Sequence, residues 1–185
     1  DTDPDRTVLG IEGLEGLHRA DYTAKALTAS FEHGITLTPG SPTRVTFVGP
    51  TVEYARLTGI DFVEDGGPAA LVGDDGSYES VRIGAGLELT QDVTTAGGQR
   101  FAPYARALYK RELGDREAIL LNGFTLDPGL GFAAASRKLG RDLIEWGVGV
   151  SSPADQRVTI SVGYAGQAMG GIQNHSARLA LSARF

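Results

Sequence analysis

Apolar and polar residues alternate along most of this chain, and the last residues show the pattern most clearly. From Ala177 to Phe185 every odd position is apolar, while the even positions include Arg178 and Arg184. Successive side chains of a β-strand point to opposite faces of a sheet, so this period of two predicts a strand with one apolar face. The same alternation recurs upstream, and helical periodicity is hard to find.

Clusters of glycine, proline and aspartate separate the alternating segments and indicate turns. We predict about eight strands in an up-and-down order joined by hairpins. The predicted strands are 22–37, 43–60, 78–92, 99–113, 117–126, 141–151, 157–167 and 174–185. Residues 61–77 are expected to form a longer loop, and 127–140 either extend a strand or form a loop.

The second face of each predicted strand combines charged residues with glycine. Alternation alone fits two folds equally well, a soluble sheet facing water and a membrane barrel with a water-filled lumen. Several segments reach the ~9–11 residues that a tilted strand needs to cross a bilayer, whereas soluble strands average about five to six. The pattern therefore favours an all-β fold, a transmembrane antiparallel up-and-down β-barrel.

In such a barrel the charged residues line the lumen and the apolar residues face lipid. The expected lumen-lining residues are Arg82, Glu88, Arg106, Glu145, Arg178 and Arg184. The expected lipid-facing residues are Leu27, Phe31, Val81, Ile83, Leu87, Leu89, Ile144, Trp146, Val148, Val158, Ile160, Val162, Leu179, Leu181 and Phe185. Ion pairs between Arg82 and Glu88, or between Arg106 and Glu112, are expected to brace neighbouring strands.

Composition narrows the classes of partner. The chain has 26 glycines and no cysteine, which excludes disulfides and thiolate metal sites. Its net charge is −6 and it contains no run of lysine or arginine, so nucleic acid is not an expected partner.

No motif of an enzyme or metal protein is found. The sequence lacks a Gly-x-Ser-x-Gly elbow, a Walker loop and a His-Glu-x-x-His helix. The histidines His18, His33 and His175 are far apart and are expected in the lumen or in loops. Carboxylates in residues 1–12 mimic a calcium loop, but Arg6 stands at its glycine position, so a solvated tail is expected there. We expect no catalytic residue, no metal and no cofactor, and hence no enzyme.

The order of segments and the terminal phenylalanine resemble the autotransporter β-domain, the translocator of type V secretion. The matching stretches cover roughly residues 20–185 and read ADYTAKALTASFEHGITL, FVGPTVEYARLTGIDFVEDG, SYESVRIGAGLEL, RFAPYARALYKREL, LIEWGVGVSSPADQRVTISVGYAGQ and NHSARLALSARF. By this resemblance the last strand carries the signal read by the outer-membrane assembly machinery, through Leu179, Leu181, Ala183 and Phe185.

The resemblance implies an outer-membrane barrel of Gram-negative bacteria that lets an N-terminal passenger reach the cell surface. Its expected partners are outer-membrane lipid, the barrel-assembly machinery and its own passenger domain. Residues 1–20 are then an N-terminal lead-in segment and 21–185 the barrel. The family barrel has about twelve strands, preceded by a helix through the pore, whereas about eight are predicted here. Two alternatives stay open, a stand-alone small outer-membrane barrel with binding loops and a soluble ligand-binding β-barrel.

Overall fold

The fold is built from antiparallel β-strands. The computed structural model describes residues 5–9, 12, 15–20, 24–59, 61–74, 76–152 and 158–183, and these residues contain no helix. Accordingly, no membrane-spanning helix occurs in the described part of the chain. The all-β class predicted from the alternation is confirmed. The strands are β1 Asp5–Val8, β2 Gly16–Arg19, β3 Lys25–Thr36, β4 Thr43–Thr58, β5 Phe62–Val63, β6 Leu71–Asp74, β7 Tyr78–Gln91, β8 Val93–Thr94, β9 Arg100–Glu112, β10 Ile119–Phe124, β11 Asp127–Ala135, β12 Asp142–Ser151, β13 Val158–Met169 and β14 Ile172–Ala183.

Seven long strands make the largest sheet. Their order is β14-β13-β12-β9-β7-β4-β3, and the short β8 pairs with β9. Each long strand thus lies beside the long strand that precedes it in the chain, which is the predicted up-and-down order. Six of the seven have 12 to 16 residues and β12 has 10, so all reach the length needed to cross a bilayer.

The chain divides into two compact units. One unit comprises Ser30–Glu53, Val81–Leu113 and Leu139–Phe185, and it holds most of the large sheet. The other comprises Asp1–Ala29, Tyr54–Ser80 and Gly114–Lys138. The second unit contains the hairpin β1-β2 and a four-stranded sheet of order β11-β10-β6-β5.

The predicted strand 117–126 does not join the large sheet. Its counterpart β10 pairs with β11 and β6 instead. β9 pairs directly with β12 through ten residue pairs from Asp142↔Arg111 to Ser151↔Ala102, so no place is left for β10 between them. Residues 127–135, which the sequence left open, form β11, and the predicted loop 61–77 contains β5 and β6.

The hairpin β1-β2 is attached to the segment after β5. Arg6 donates to Glu64 from Nε at 2.9 Å and from Nη2 at 2.5 Å, and the amide of Leu71 donates to the same carboxylate at 2.8 Å. The hydrogen bonds from Arg6 are the main reason why the pKa of Glu64 lies below its usual range. Two backbone bonds between Arg19 and Asp65 add to this attachment. The expectation of a solvated tail within residues 1–12 is therefore wrong for Asp5–Val8.

The alternation in β4 shifts by one residue in the middle of the strand. Val48 and Thr51 are both buried, at 3% exposure, whereas Phe47 and Val52 are exposed. The shift falls at Gly49 and Pro50. Proline has no amide hydrogen to donate to a neighbouring strand, so it is found where strand pairing is interrupted.

Gly86 of β7 has no room for a side chain against β9. A Cβ there would overlap the backbone oxygen of Ala107 and lie 2.7 Å from the Cα of Leu108. We expect Gly86→Ala to lower the free energy of unfolding by about 1–3 kcal/mol, because the backbone of β9 must move. Urea unfolding of the refolded chain in detergent measures this.

Gly147→Ala is the matched control, since a Cβ at Gly147 would meet no atom closer than 3.7 Å. Equal stability of the two variants would contradict the close approach of β7 and β9.

Candidate functional site: the charged face of the large sheet

The large sheet has a charged face, which we define by Glu32, Glu53, Arg82, Glu88, Arg106, Lys110, Glu112 and Glu145. Strand register places several of these side chains together. Arg82 stands opposite Glu112 and Glu88 stands opposite Arg106 in the β7-β9 pair. Directly opposed residues of antiparallel strands present their side chains on the same face.

The central strand β9 supplies the long side chains of this face, and glycines on its neighbours make room for them. A Cβ at Gly149 would lie 2.6 Å from the ring of Tyr104, and one at Gly163 would lie 2.8 Å from its hydroxyl. A Cβ at Gly84 would lie 2.5 Å from Cγ of Lys110. Glycine on β7, β12 and β13 thus lets the side chains of β9 lie close against the sheet.

Glu112 is the most enclosed charged group of this face. Its side chain is fully buried, at 0% exposure, and its carboxylate accepts the Arg82 Nε–H at 2.9 Å. The other carboxylate oxygen accepts the backbone N–H of Val81, also at 2.9 Å. A carboxylate removed from water needs partners of this kind, because an unpaired buried charge is strongly destabilising.

Lys110 lies between two carboxylates from strands on either side of β9. Its Nζ is 2.5 Å from Glu53 of β4 and 2.7 Å from Glu145 of β12. The lysine side chain is only 5% exposed, whereas Glu145 is 26% exposed. The two carboxylates compensate for the loss of hydration of the ammonium group, and the lysine in turn connects β4, β9 and β12.

Arg106 forms the longest connection across the sheet. Both of its terminal nitrogens donate to Glu32 of β3, one of them at 3.0 Å, and Glu88 lies 3.8 Å away. Two strands, β7 and β4, separate β9 from β3. Side chains stand roughly perpendicular to a sheet, so this contact requires the sheet to curve with the charged face on its concave side.

The expected ion pairs exchange partners. Arg82 pairs with Glu112 rather than Glu88, and Arg106 approaches Glu88 and Glu32 rather than Glu112. Arg82 and Glu88 are six residues apart on one strand, which corresponds to ~20 Å at ~3.3 Å per residue. The sequence spacing therefore indicated the right charged residues and the wrong pairs.

Four of the six residues expected in the lumen belong to the charged face: Arg82, Glu88, Arg106 and Glu145. Strand register places Arg178 on the same face. Arg178 of β14 stands opposite Gly163 of β13, and Gly163 stands opposite Gly149 of β12. Gly149 in turn stands opposite Tyr104 of β9, whose side chain lies on the charged face. Arg184 lies outside the described residues. A cavity of about 470 Å³ adjoins the charged face and is lined by Glu88, Arg106, Glu145, Gln167 and Asn174, among others.

Sequence reasoning did not select Glu32, Glu53 and Lys110. A signal for Lys110 was present, because it has the same parity as Arg106 within one uninterrupted strand. Glu53 was harder to find, since the shift at Pro50 reverses the parity of β4 before that residue.

The opposite face of the large sheet is apolar and exposed. Leu179 and Leu181 of the expected assembly signal lie on it at 74% and 71% exposure. The side chain of Ala183 and the residue Phe185 lie outside the part of the chain that the structure describes. Other exposed apolar residues of the large sheet are Leu27, Phe31, Ile83, Leu87, Leu89, Ile144, Val148, Ile160 and Val162.

Aromatic residues cluster on the apolar face. The ring of His175 packs edge-on against Trp146 with centroids 5.7 Å apart, and Tyr164 contacts His175 through its hydroxyl at 2.8 Å. His175 stands opposite Gly166, which stands opposite Trp146. His175 therefore lies on the apolar face and not, as expected, in a lumen or loop.

The two ends of the large sheet carry different connections. At one end, residues 59–77 and 113–141 form long connections with strands of their own, accompanied by the tight turn at Gly170 and Gly171. At the other end the described connections are short and comprise residues 37–42 and 92–99. Unequal connections of this kind are typical of outer-membrane barrels, which have long extracellular loops and short periplasmic turns.

Long antiparallel strands, an exposed apolar face and an ion-paired concave face together define the class of transmembrane β-sheet proteins. A family model, Autotransporter beta-domain, matches residues 1–165. The chain belongs to the autotransporter β-domain family, whose members are outer-membrane barrels of Gram-negative bacteria, and the resemblance seen in the sequence is confirmed. No curated protein matches the chain.

Family membership decides several of the expectations. It assigns the chain an outer-membrane barrel role in type V secretion, in association with the outer membrane and a passenger domain, and the family is not an enzyme family. The soluble ligand-binding barrel is therefore no longer an alternative.

We expect Lys110→Met to lower the free energy of unfolding by about 3 kcal/mol, because Glu53 and Glu145 then lose the cation that both contact. Urea unfolding of the refolded protein in detergent measures this. The triple variant Lys110→Met, Glu53→Gln, Glu145→Gln should recover most of the loss, since replacing a whole buried charge group is often neutral. A single variant as stable as the wild type would mean that the charge group does not connect the strands.

Proposed function

We propose that this barrel anchors an N-terminal passenger in the outer membrane and lets it reach the cell surface through the space bounded by the charged face. The observation that carries the proposal is the division of the large sheet into an exposed apolar face and a concave face of ion pairs. A hydrated, charged lining offers hydrogen-bond partners to an unfolded polypeptide, which hydrocarbon cannot.

The lumen-lining role of Arg82, Glu88, Arg106, Glu145, Arg178 and Arg184 is part of this proposal. The ion pairs of Arg82, Arg106 and Glu145 support it, because charges on a lipid-facing surface cost about 2–4 kcal/mol at the bilayer midplane. Of these residues, Arg82 and Glu88 belong to β7, Arg106 to β9 and Glu145 to β12.

The different connections support an orientation for the barrel. We assign the long connections 59–77 and 113–141 to the cell exterior and the short ones to the periplasm. β14 runs from the turn at Gly171 towards the end with short connections, which brings its last described residues to the periplasmic side. This is the side from which an assembly machinery of the periplasm and outer membrane would meet the terminal strand.

Export of the passenger tests the proposal. In the natural precursor, an epitope inserted upstream of residue 1 should become accessible to antibody on intact Gram-negative cells. Ser176→Trp should reduce this surface signal at least twofold, because Ser176 stands opposite Ala165 on the charged side of β14. Total barrel in the outer membrane should remain unchanged.

Ala177→Trp is the matched control. Ala177 stands opposite Tyr164 on the apolar face, so its indole should meet lipid and leave export unchanged. Reduced export by Ala177→Trp together with normal export by Ser176→Trp would refute the assignment of the charged face as the export path.

The terminal strand is proposed to carry the assembly signal through Leu179, Leu181, Ala183 and Phe185. Phe185→Asp should reduce the amount of barrel in the outer membrane of cells far more than refolding in detergent. One terminal aromatic contributes at most a few kcal/mol, about 1.5–3, to a whole barrel, whereas recognition by an assembly machinery can depend on one group.

Phe132→Asp serves as the control for that experiment, since Phe132 is an exposed phenylalanine of β11, far from the terminal strand in sequence. If Phe185→Asp lowers the amount of barrel equally in cells and in refolding, Phe185 contributes only to packing. If the variant assembles normally in cells, the proposed assembly signal is contradicted.

A second function, binding by the loops, is favoured by the four-stranded sheet β11-β10-β6-β5. This sheet exposes Leu121 at 59%, Leu130 at 64% and Phe132 at 47%. Leu130 and Phe132 are two residues apart on β11 and share one face of this sheet, whereas Leu121 stands opposite Ala133 on the other face. Exposed apolar side chains on the faces of a small sheet favour an interaction surface. The loops would then bind host or envelope components in addition to any role in export.

A further inference from the structure

The strand β11 forms one edge of the four-stranded sheet. Among the described strands it pairs only with β10, and each of its residues 129–135 is exposed. These residues read GLGFAAA and include neither a charged residue nor a proline. Natural sheets usually protect an edge with charged residues or proline, because unpaired backbone groups there can bind another strand. The edge at β11 is therefore open to strand pairing.

The hydrogen bonds to β10 show which backbone groups of this edge point outward. The N–H of Ser136 donates to the backbone oxygen of Ala118 at 2.8 Å. Residues of an antiparallel strand direct their N–H and C=O groups alternately towards one neighbour and towards the other. The N–H and C=O groups of Gly131, Ala133 and Ala135 consequently point away from β10. No side chain of these three residues is larger than a methyl group, so a second strand can approach closely.

The sequence of β11 is complementary to itself in the antiparallel direction. If Ala133 stands opposite Ala133 of a second copy, all three outward residues exchange backbone hydrogen bonds with outward residues of that copy. In this register Phe132 stands opposite Ala134 of the second copy, so a large side chain lies beside a small one. Asp127 begins the strand and Lys138 follows its end, so opposite charges of the two copies come near each other at both ends.

We propose that β11 pairs with β11 of a second copy of this chain, which joins the two four-stranded sheets into one continuous sheet. The symmetric register and the opposite charges at the two ends favour a second copy over an unrelated peptide. Lys138 lies 3.8 Å from Glu117 of its own chain, and its side chain is still 56% exposed. It therefore stays accessible to Asp127 of the second copy.

Disulfide formation between single-cysteine variants tests this pairing, because the chain contains no cysteine of its own. Ala133→Cys would place two cysteines directly opposite each other, with Cα atoms about 5.5 Å apart. This separation lies within the range that a disulfide spans. Mild oxidation of the refolded protein in detergent should therefore give a covalent dimer, which a non-reducing gel measures.

Ala135→Cys is the matched control, since Ala135 is also an exposed, outward residue of β11. In the proposed register it stands opposite Gly131 of the second copy, so the two cysteines would be four residues, about 13 Å, apart. Ala133→Cys should give about fivefold more dimer or better, because cysteines with distant Cα atoms cannot be bridged without movement of the backbone. Equal dimer from both variants would indicate random collision and would refute the register.

A second pair of variants tests the backbone hydrogen bonds. Ala133→Pro removes an outward N–H and leaves the hydrogen bonds with β10 in place. It should weaken self-association about tenfold, which corresponds to the net contribution of two hydrogen bonds. Ala133→Ser keeps the N–H and should associate as the wild type does. Sedimentation in detergent measures the association, and heat-dependent migration on gels verifies that each variant is folded.

The proposal fails if the wild type stays monomeric across the concentration range, or if the folded Ala133→Pro variant associates as the wild type does. Disulfide capture of a different protein by a matching cysteine on that protein, in place of a second copy, would also overturn it. None of these outcomes depends on export of a passenger, so the proposed function and this pairing can fail separately.

Discussion

Hydrocarbon offers no hydrogen-bond partner to a peptide group, and this constraint governs the large sheet. Its strands satisfy each other through consecutive antiparallel ladders, as in the continuous pairing of β12 with both β9 and β13. Because the backbone donors and acceptors are hydrogen-bonded within the sheet, successive side chains can alternate between the apolar face and the charged face. The exposed apolar face and the charged face are consequences of this arrangement.

The charged face also has to accommodate the long side chains of β9. β9 lies in the middle of the sheet and carries Tyr104, Arg106, Lys110 and Glu112, while its neighbours carry glycine beside them. The absence of side chains on those neighbours lets arginine and lysine reach carboxylates one, two or three strands away. Lys110–Glu53 and Arg106–Glu32 thereby connect strands that are not neighbours in the sheet.

The connections at the two ends of the sheet have different roles. Short connections keep neighbouring long strands in register, as a barrel requires. The long connections instead form one four-stranded sheet together, and the Arg6–Glu64 pair attaches the hairpin β1-β2 to the first of these connections. Loops with this much internal structure provide a surface that can be changed without altering the strands in the membrane.

The sequence by itself determined the strands and their faces, because the alternation of side chains is a local property with a period of two. It also indicated Arg82, Glu88, Arg106 and Glu145 as residues of one charged face, and the order of its segments indicated the family whose model matches residues 1–165. The tertiary structure alone decided which charges meet. Arg82 pairs with Glu112 because of strand register, and Arg106 pairs with Glu32 because the sheet curves. Register and curvature both depend on strands that are distant in sequence. For the same reason β10 could not be excluded from the large sheet in advance, since its alternation suits either position and only the direct pairing of β9 with β12 removes it.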